Sequence, residues 1–422
     1  MKEKILQAAD SPRELEALYR AQPKEFNQAF MAAYAERNDS LVLQAWKERL
    51  FLSATGAMSE SSGASRWRIG DISLVIVLSL IAGTLAKLPH FFSAVNENWF
   101  YSRNLAGIVI GALIAYFCFQ RQCGKKTAAI LSILFFGGML YLNLLPDKSI
   151  SQSIALACLH MPVFFWALLG VSFLAGSWQN LPGRMDYVRY NGEVVVYSTV
   201  ILIGGVVLTA LTLGLFELIE LKIEQWYFKT VAIYGGIAAP IVATLIGERI
   251  VGTRFKIAPL LAKVFTPLFL VMALAYLVAM AIQQKSPFTD RDFLIAFNGL
   301  LLVVLALCVF SISERGTTAR FAVADFLNIG LVLVTLIIDL IALAAILFRL
   351  TSYGYTPNRL AVLGANLLVF CHLAGILYLY VRFVVKRQSL TSLDQWIVGY
   401  LPVYVIWSVF VAVAFPLIFS FK

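Results

Sequence analysis

Charged residues are scarce in this chain. Asp, Glu, Lys and Arg together make up 14% of its 422 residues, and only three residues are histidine. Hydrophobic residues reach 60%, whereas soluble domains hold roughly 45–50% apolar residues. The mean hydropathy is +0.80. So little charge over so much apolar sequence excludes an ordinary soluble fold and indicates a membrane protein with many spans.

The basic residues outnumber the acidic ones, 34 to 24, which gives a formal net charge of +10. They are spread through short loops between apolar segments, which is typical of a membrane orientation signal. A nucleic-acid-binding face would instead place basic and aromatic residues together on one surface. We therefore expect the lipid bilayer as a partner and no nucleic acid.

Cysteine is also sparse, and the familiar catalytic motifs are absent from the sequence. The five cysteines lie in predicted spans or in a basic loop, without a CxxC pair, so neither a disulfide framework nor a metal site is predicted. The sequence contains no P-loop, no HExxH and no GxSxG motif. We expect no cofactor or metal, and the interpretation leans against an enzyme without excluding one.

Residues 1–55 have the pattern of a small cytoplasmic unit of three helices. Ser11 and Glu14 are spaced as a capping box, with Pro12 at the first helical position. Pro23 is suited to start a second helix, and Ser40 can cap a third. Each helix has apolar residues on one face: Leu15, Leu18 and Tyr19; Phe26, Phe30, Ala33 and Tyr34; Leu41, Trp46 and Leu50.

The role of residues 1–55 has two alternatives, a solubilising cap or a docking module for a cytoplasmic protein partner. A flexible linker follows at 56–68, since Gly, Ser and Ala dominate its first part. The membrane domain is predicted over 69–422, with Arg66, Trp67 and Arg68 as an interfacial anchor at its entry.

The fold class is predicted to be all-α, a polytopic bundle of about eleven transmembrane helices. Most of the apolar segments approach the roughly 20 residues that cross a bilayer. The predicted spans are about 71–88, 104–119, 127–145, 153–175, 194–217, 230–247, 259–282, 292–311, 323–348, 359–381 and 396–419.

The distribution of Lys and Arg among the loops predicts the orientation of the chain in the membrane. If the N-terminus is cytoplasmic, the loops on the cytoplasmic side hold more Lys and Arg than those on the other side. The positive-inside rule then predicts a cytoplasmic N-terminus and a C-terminus outside. One miscounted span would reverse every later loop.

Polar residues interrupt the ninth span. Asp325, Asn328, Thr335 and Asp339 fall within about 80° of arc at 100° per residue, so they form one stripe on an apolar helix. Charge is expensive in hydrocarbon, and such a stripe is therefore expected to face protein or water.

The depths at which polar residues lie in the membrane suggest partners for Asp339. The ninth and tenth spans form a hairpin, and at 1.5 Å per residue Asp339 lies about 13 Å below the outer end and Asn366 about 10 Å below it. His160 lies about 10 Å below the outer end of the fourth span, and His372 lies one to two helical turns deeper than Asn366. Asp339, Asn366 and His160 therefore form the candidate intramembrane cluster.

Each polar group has a structural alternative. Asp339 is either a buried carboxyl group that bonds a neighbouring helix or a proton or cation site. Asp325 and Lys263 could form a pair near the cytoplasmic side, or Lys263 could extend to the interface while Asp325 suits a helix N-terminus. His160 and His372 are ligands or, as the sequence favours, packed residues.

A polar hairpin joins the ninth and tenth spans. Gly354 permits a positive φ, Thr356 can cap the next helix and Pro357 suits its first turn. Arg349 and Arg359 bracket the turn, either as headgroup contacts and salt-bridge partners or as a site for an anion or lipid headgroup.

This hairpin resembles a family of bacterial polytopic membrane proteins, domain of unknown function 4153. The resemblance rests on the pattern Tyr-Gly-x-Thr-x-x-Arg at Tyr353, Gly354, Thr356 and Arg359, after an apolar helix that ends in Arg349. The prefix with Leu15-Glu-Ala-Leu-Tyr-Arg20 and Trp46-Lys-Glu-Arg-Leu50 is similar to the leader of some members. The resemblance implies the bacterial cytoplasmic membrane, but no activity, substrate or cofactor.

Two functions stay open. The sequence slightly favours a non-enzymatic scaffold, assembly or regulatory protein, which predicts a dry, closed bundle. The alternative is a permease or ion-coupled transporter with an intramembrane site at Asp339, which requires a polar cavity that reaches the midplane. The sequence specifies no small-molecule or ion substrate.

Overall fold

The computed structural model describes residues 1–50, 69–92, 94–148, 150–250, 257–283, 288, 291–313, 323–386 and 391–422. All regular structure in these segments is helical. The chain divides into two compact units, Met1–Arg68 and Ile69–Lys422. The predicted linker at 56–68 and its anchor residues lie outside the described residues.

The N-terminal unit contains four described helices, one more than the three predicted. They are α1 (Lys2–Gln7), α2 (Pro12–Ala21), α3 (Pro23–Glu36) and α4 (41–50). Helix α1 is six residues long, too short for an apolar periodicity to reveal it. Ser11 is the N-cap of α2 but makes no side-chain capping bond, whereas Ser40 accepts from the Leu43 amide as predicted.

The core of this unit is aromatic. Phe26 and Phe30 are fully buried, and the Phe26 ring lies 5.3 Å from the Trp46 ring between centroids. Leu43 is buried in α4, whereas Leu41, predicted for the inner face, is 80% exposed. At about 100° per residue Leu43 lies about 60° from the buried Trp46 on the helix circumference, whereas Leu41 lies about 140° from it, so Leu41 falls on the outer face.

One ion-pair network joins the surfaces of α2 and α4. Glu16 accepts hydrogen bonds from Arg49 and, at 2.9 Å, from Arg20. The Arg49 guanidinium also stacks 4.2 Å above the Trp46 ring centroid. Hydrogen bonds from Arg49 and then Arg20 lower the pKa of the Glu16 carboxyl from 4.5 to about 2. The unit is therefore sensitive to acid at this position.

The second unit is a bundle of long apolar helices. Its helices are α5 (Ile69–Ala86), α6 (Leu88–Phe91), α7 (Glu97–Gln120), α8 (Lys125–Leu144), α9 (Gln152–Phe173), α10 (Leu181–Leu218), α11 (Glu224–Tyr227), a π-helical turn (Phe228–Ala232), α12 (Ile233–Ile250), α13 (Ile257–Gln283), α14 (Arg291–Ser313), α15 (Val323–Tyr353), α16 (Pro357–Lys386) and α17 (Thr391–Ile418).

The predicted all-α, multi-pass architecture is confirmed. Among the described residues ten helices are long and apolar enough to cross a membrane, and each coincides with a predicted span. The remaining predicted span, 259–282, coincides with α13, whose described apolar stretch is Val264–Val278. The chain is an integral membrane protein that passes through the bilayer many times.

Helix α10 differs most from its predicted span. It begins at Leu181, thirteen residues before the predicted start at 194, and is 38 residues long. At 1.5 Å per residue it extends about 57 Å, well beyond the roughly 30 Å of hydrocarbon. The early part was missed because Arg184, Asp186 and Arg189 lower its hydropathy, although they do not interrupt the helix.

Helix α15 is central to the C-terminal half of the bundle. It packs against α13, α14 and α16, and α16 packs in turn on α17. Buried Leu331, Val332 and Leu336 of α15 meet Leu373 and Ile376 of α16 in one apolar cluster. The face that α15 turns toward its neighbours is the face that holds the polar stripe.

Candidate functional site within helices α14 to α17

The polar stripe of α15 faces protein. Asp325, Asn328, Thr335 and Asp339 are each 0% exposed, whereas Phe326 and Leu340 on the opposite side are 69% and 53% exposed. The 100° spacing of an α-helix accounts for this division, since the four polar residues share one arc. The stripe is therefore removed from lipid, as the sequence predicts.

Asn328 joins three helices by hydrogen bonds. Its Nδ2 donates to Ser311 Oγ of α14 at 2.8 Å and to the Tyr380 hydroxyl of α16 at 3.2 Å. Both partners are buried. Since hydrocarbon offers no alternative partner, such bonds stabilise the contact of α15 with its two neighbours.

Asp339 has a different environment. Among the described residues neither Oδ1 nor Oδ2 has a hydrogen-bond partner, although Asp339 is fully buried. Thr335, one turn earlier, likewise has an unpartnered buried hydroxyl. Buried polar groups without partners are rare and costly, so these two are the least satisfied part of the stripe.

No hydrogen bond joins the members of the predicted cluster. His160 uses Nδ1 for the Leu156 carbonyl of its own helix, at 2.9 Å. Asn366 is 3% exposed, and its Nδ2 has no partner. The cluster of Asp339, Asn366 and His160 stays a prediction, and its members each lack a bond to another member in the described part of the chain.

The helix bounds also change the depth of Asp339. Because α15 continues to Tyr353 instead of ending at 348, Asp339 lies about 21 Å from its hairpin end. Asn366 lies about 14 Å from Pro357, the start of α16. The two residues therefore differ in depth by about 7 Å, somewhat more than one helical turn.

His372 lies among aromatic rings of α17. It is 1% exposed, its Nδ1 is 2.9 Å from the Tyr404 hydroxyl, and its ring stacks on Tyr400 with centroids 4.5 Å apart. The Trp396 indole donates to the His372 carbonyl at 3.1 Å. These contacts agree with the interpretation of His372 as a packed residue.

Sequence reasoning missed the aromatic residues of α17. Trp396, Tyr400 and Tyr404 recur every fourth residue, a spacing that places them on one helix face and could have been recognised. Gly375 of α16 lies against the Trp396 ring, and a Cβ at Gly375 would overlap that ring. Glycine thus allows the close approach of α16 and α17.

Asp325 and Lys263 belong to helices that pack on each other, α15 and α13. Asp325 is fully buried near the start of α15. The side chain of Lys263 lies outside the described residues, so the Lys263–Asp325 pair stays a prediction.

The turn between α15 and α16 has the predicted local geometry. Gly354 has φ +79°, and Thr356 Oγ1 accepts from the Arg359 amide at 3.4 Å. Arg359 Nη1 donates to the Tyr353 and Gly354 carbonyls at 2.8 and 2.7 Å. Arg359 therefore closes the end of α15, a role that neither sequence alternative included. Arg349 is half-buried, and its Nη1 has no hydrogen-bond partner.

The burial of the polar stripe limits the chemistry that its residues can perform. Within the described ranges, no three His, Cys, Asp or Glu side chains come together as a metal ion would require. Asp339 has no surface exposed to solvent in the arrangement of the described helices. As arranged, the stripe can hold helices together.

Comparisons of the chain with protein-family models, with curated proteins and with solved structures found no match.

Proposed function

We propose that this integral membrane protein is a non-enzymatic scaffold, assembly or regulatory protein. The observation that supports this function over transport is the complete burial of the α15 stripe, from Asp325 to Asp339. A carrier needs an aqueous path to a polar site near the midplane. A stripe packed on three neighbouring helices instead suits a bundle whose polar groups fasten its helices.

The part of a scaffold that meets a cytoplasmic protein would be residues 1–55. Their described portion has its own aromatic core and a surface cavity of about 290 Å³ beside Leu41, Trp46 and Arg49. Trp46 and Arg49 line this cavity, and tryptophan and arginine are enriched among the residues that contribute most to protein contacts. Leu41 beside them is 80% exposed and adds apolar surface. We place the partner's contact at this surface.

A transporter is the second candidate, and one observation favours it. Both carboxyl oxygens of Asp339 are buried, and neither has a partner in the segments that the structure describes. Ionisable groups inside a membrane commonly mark ion or proton pathways. Under this alternative, α15 would part from a neighbour during the transport cycle and expose Asp339 to water.

Proton flux distinguishes the two candidates. The full chain would be reconstituted in vesicles that hold a pH-sensitive dye, beside Asp339→Asn and protein-free vesicles. A scaffold gives the same slow leak in all three after a pH step. A proton-coupled transporter gives faster flux that Asp339→Asn abolishes, and that result would replace the proposed function.

The proposal also includes the membrane in which the chain lies and its orientation there. We place the chain in the bacterial cytoplasmic membrane, with the N-terminus in the cytoplasm and the C-terminus outside, because of the basic loops and the resemblance to domain of unknown function 4153. Protease added outside inverted and right-side-out vesicles would test it. Residues 1–55 should be cleaved only in inverted vesicles.

A further inference from the structure

A cavity of about 710 Å³ lies where α7 and α9 begin. The first turns of both helices line it, through Asn98 and Trp99 of α7 and Ser151 and Ile154 of α9. Amide groups in a helix's first turn lack intrahelical acceptors, and the helix dipole places partial positive charge there. Two long helices thus direct their N-termini toward one cavity. Their Trp99 and Ile154 amides donate to the capping oxygens of Asn96 and Ser151, and the Ser153 amide donates to the Lys422 carbonyl, so the side-chain charges of the wall have to supply most of the attraction for an anion.

Arg103 adds a full charge to this cavity wall. Arg103 is only 5% exposed. Its Nη1 donates to the carbonyls of Leu142 and Leu145 at 2.8 and 2.7 Å. Nη2 donates to the Pro146 carbonyl at 2.9 Å. These bonds use three of the five guanidinium N–H donors, so two donors are left.

No carboxylate forms a direct ion pair with Arg103 in the described part of the chain. In the described segments no acidic group lies within ion-pair distance of its guanidinium, whose other close neighbour is the Trp99 ring at 4.9 Å. Glu97, in the first turn of α7, lies against His90 instead, at 3.3 Å. A buried charge that is paired only with carbonyl dipoles favours a bound anion.

The remaining charges of the wall are Lys148 and Asp147, both exposed. Two cations and one carboxylate therefore line the cavity, and its balance is positive. Polar amides and hydroxyls of Asn96, Asn98, Ser102 and Ser151 surround these charges. This half of the wall suits a phosphate group, which accepts several hydrogen bonds.

The other half of the wall is apolar and continues along the surface of α9. Ala155, Cys158 and Leu159 form it, and Leu159 is 70% exposed. Trp99 at the polar end marks the depth of the headgroup region, where tryptophan is enriched. A polar end at that depth and an apolar track beyond it match a lipid better than a soluble anion.

We propose that this cavity binds one anionic phospholipid. The phosphate lies against Arg103 and Lys148, and an acyl chain follows α9 past Ala155 and Leu159. Interfacial lysines attract anionic lipids, and a defined cavity beside a buried arginine adds a preference for one site. The proposal does not depend on whether the bundle is a scaffold or a transporter.

The test uses the purified full chain in a mild detergent and native mass spectrometry. Phosphatidylglycerol and phosphatidylcholine with identical acyl chains are titrated separately. We expect preferential binding of one phosphatidylglycerol, and Lys148→Gln should weaken that binding about fivefold. Ala155→Trp should block the path of the acyl chain along α9 and weaken the binding of phosphatidylglycerol as well. Arg103 is left intact because it also closes the end of α8.

Lys229→Gln is the matched control. Lys229 is an exposed lysine after α10, at the same end of the bundle as Lys148 but outside the cavity. The Lys229→Gln substitution should leave the binding of phosphatidylglycerol unchanged. Equal binding of the two lipids, or equal effects of Lys148→Gln and Lys229→Gln, would overturn the proposal. Displacement of phosphatidylglycerol by millimolar inorganic phosphate would also overturn it, since it would identify a small-anion site.

Discussion

Asn328 gives the sharpest test of a structural role for the α15 stripe. Replacing it with leucine keeps a similar volume and removes the hydrogen bonds to Ser311 and Tyr380. Hydrogen bonds between membrane helices contribute about 0.6 kcal/mol each. The Ser311 hydroxyl, left buried without this donor, adds about 1 kcal/mol. The Asn328 Oδ1 atom is buried without a partner among the described residues, and its removal returns about 1 kcal/mol. Asn328→Leu should therefore lower the free energy of unfolding by about 1 kcal/mol.

The matched substitution is Asn366→Leu on α16. Asn366 is as buried as Asn328, but its Nδ2 has no partner, so its removal relieves an unsatisfied group. We expect no loss of stability, or a gain of up to about 1 kcal/mol. Unfolding of the full chain in mixed detergent micelles, followed by circular dichroism, would measure both variants.

A double-mutant cycle isolates the bond itself. Combining Asn328→Leu with Tyr380→Phe should reveal a coupling energy of about 0.6 kcal/mol. The reasoning is refuted if the coupling is zero, or if Asn366→Leu destabilises the protein as much as Asn328→Leu does. Either result would mean that burial alone, and not bonding, decides the effect of these residues.

Two further predictions concern packing and acidity. Gly375→Ala should lower the thermal midpoint because a Cβ there overlaps the Trp396 ring, whereas Gly399→Ala, with nothing within 4 Å, should leave it unchanged or raise it slightly. Because the pKa of Glu16 is lowered to about 2 by Arg49, its stabilising contribution is complete above pH 4.5 and is lost as the pH falls toward 2. The protection factors of residues 1–50 in the full chain, which are hydrogen-exchange rates corrected for the intrinsic rate at each pH, should fall over that range, and Glu16→Gln should remove this Glu16-dependent part.

Much of the architecture follows from local pattern. Apolar runs long enough to span a bilayer appear directly in the sequence, and every predicted span coincides with a helix. The 100° arithmetic of an α-helix was enough to predict that Asp325, Asn328, Thr335 and Asp339 share a buried face. The turn at Gly354 was also predictable, because a positive φ requires glycine most often.

Tertiary partners were not predictable in the same way. That Asn328 meets Tyr380, 52 residues later, depends on how two helices rotate against each other. The depth arithmetic depends on helix ends, and the predicted spans end α15 five residues too early and begin α16 two residues too late, which makes the depths of Asp339 and Asn366 look similar. The role of Arg103 was not predictable either, since no local pattern shows that its guanidinium donates to the carbonyls at the end of α8.

The central claim is that the interior beside α15 is closed to water, and cysteine accessibility tests it most directly. In a chain whose five native cysteines are replaced by alanine, Thr335→Cys and Thr351→Cys form a matched pair on α15. Thr335 is fully buried, and Thr351 is exposed near the hairpin end. The account predicts that a water-soluble maleimide in native membranes labels Thr351→Cys fully and Thr335→Cys only after denaturation. Labelling of Thr335→Cys in native membranes would contradict it.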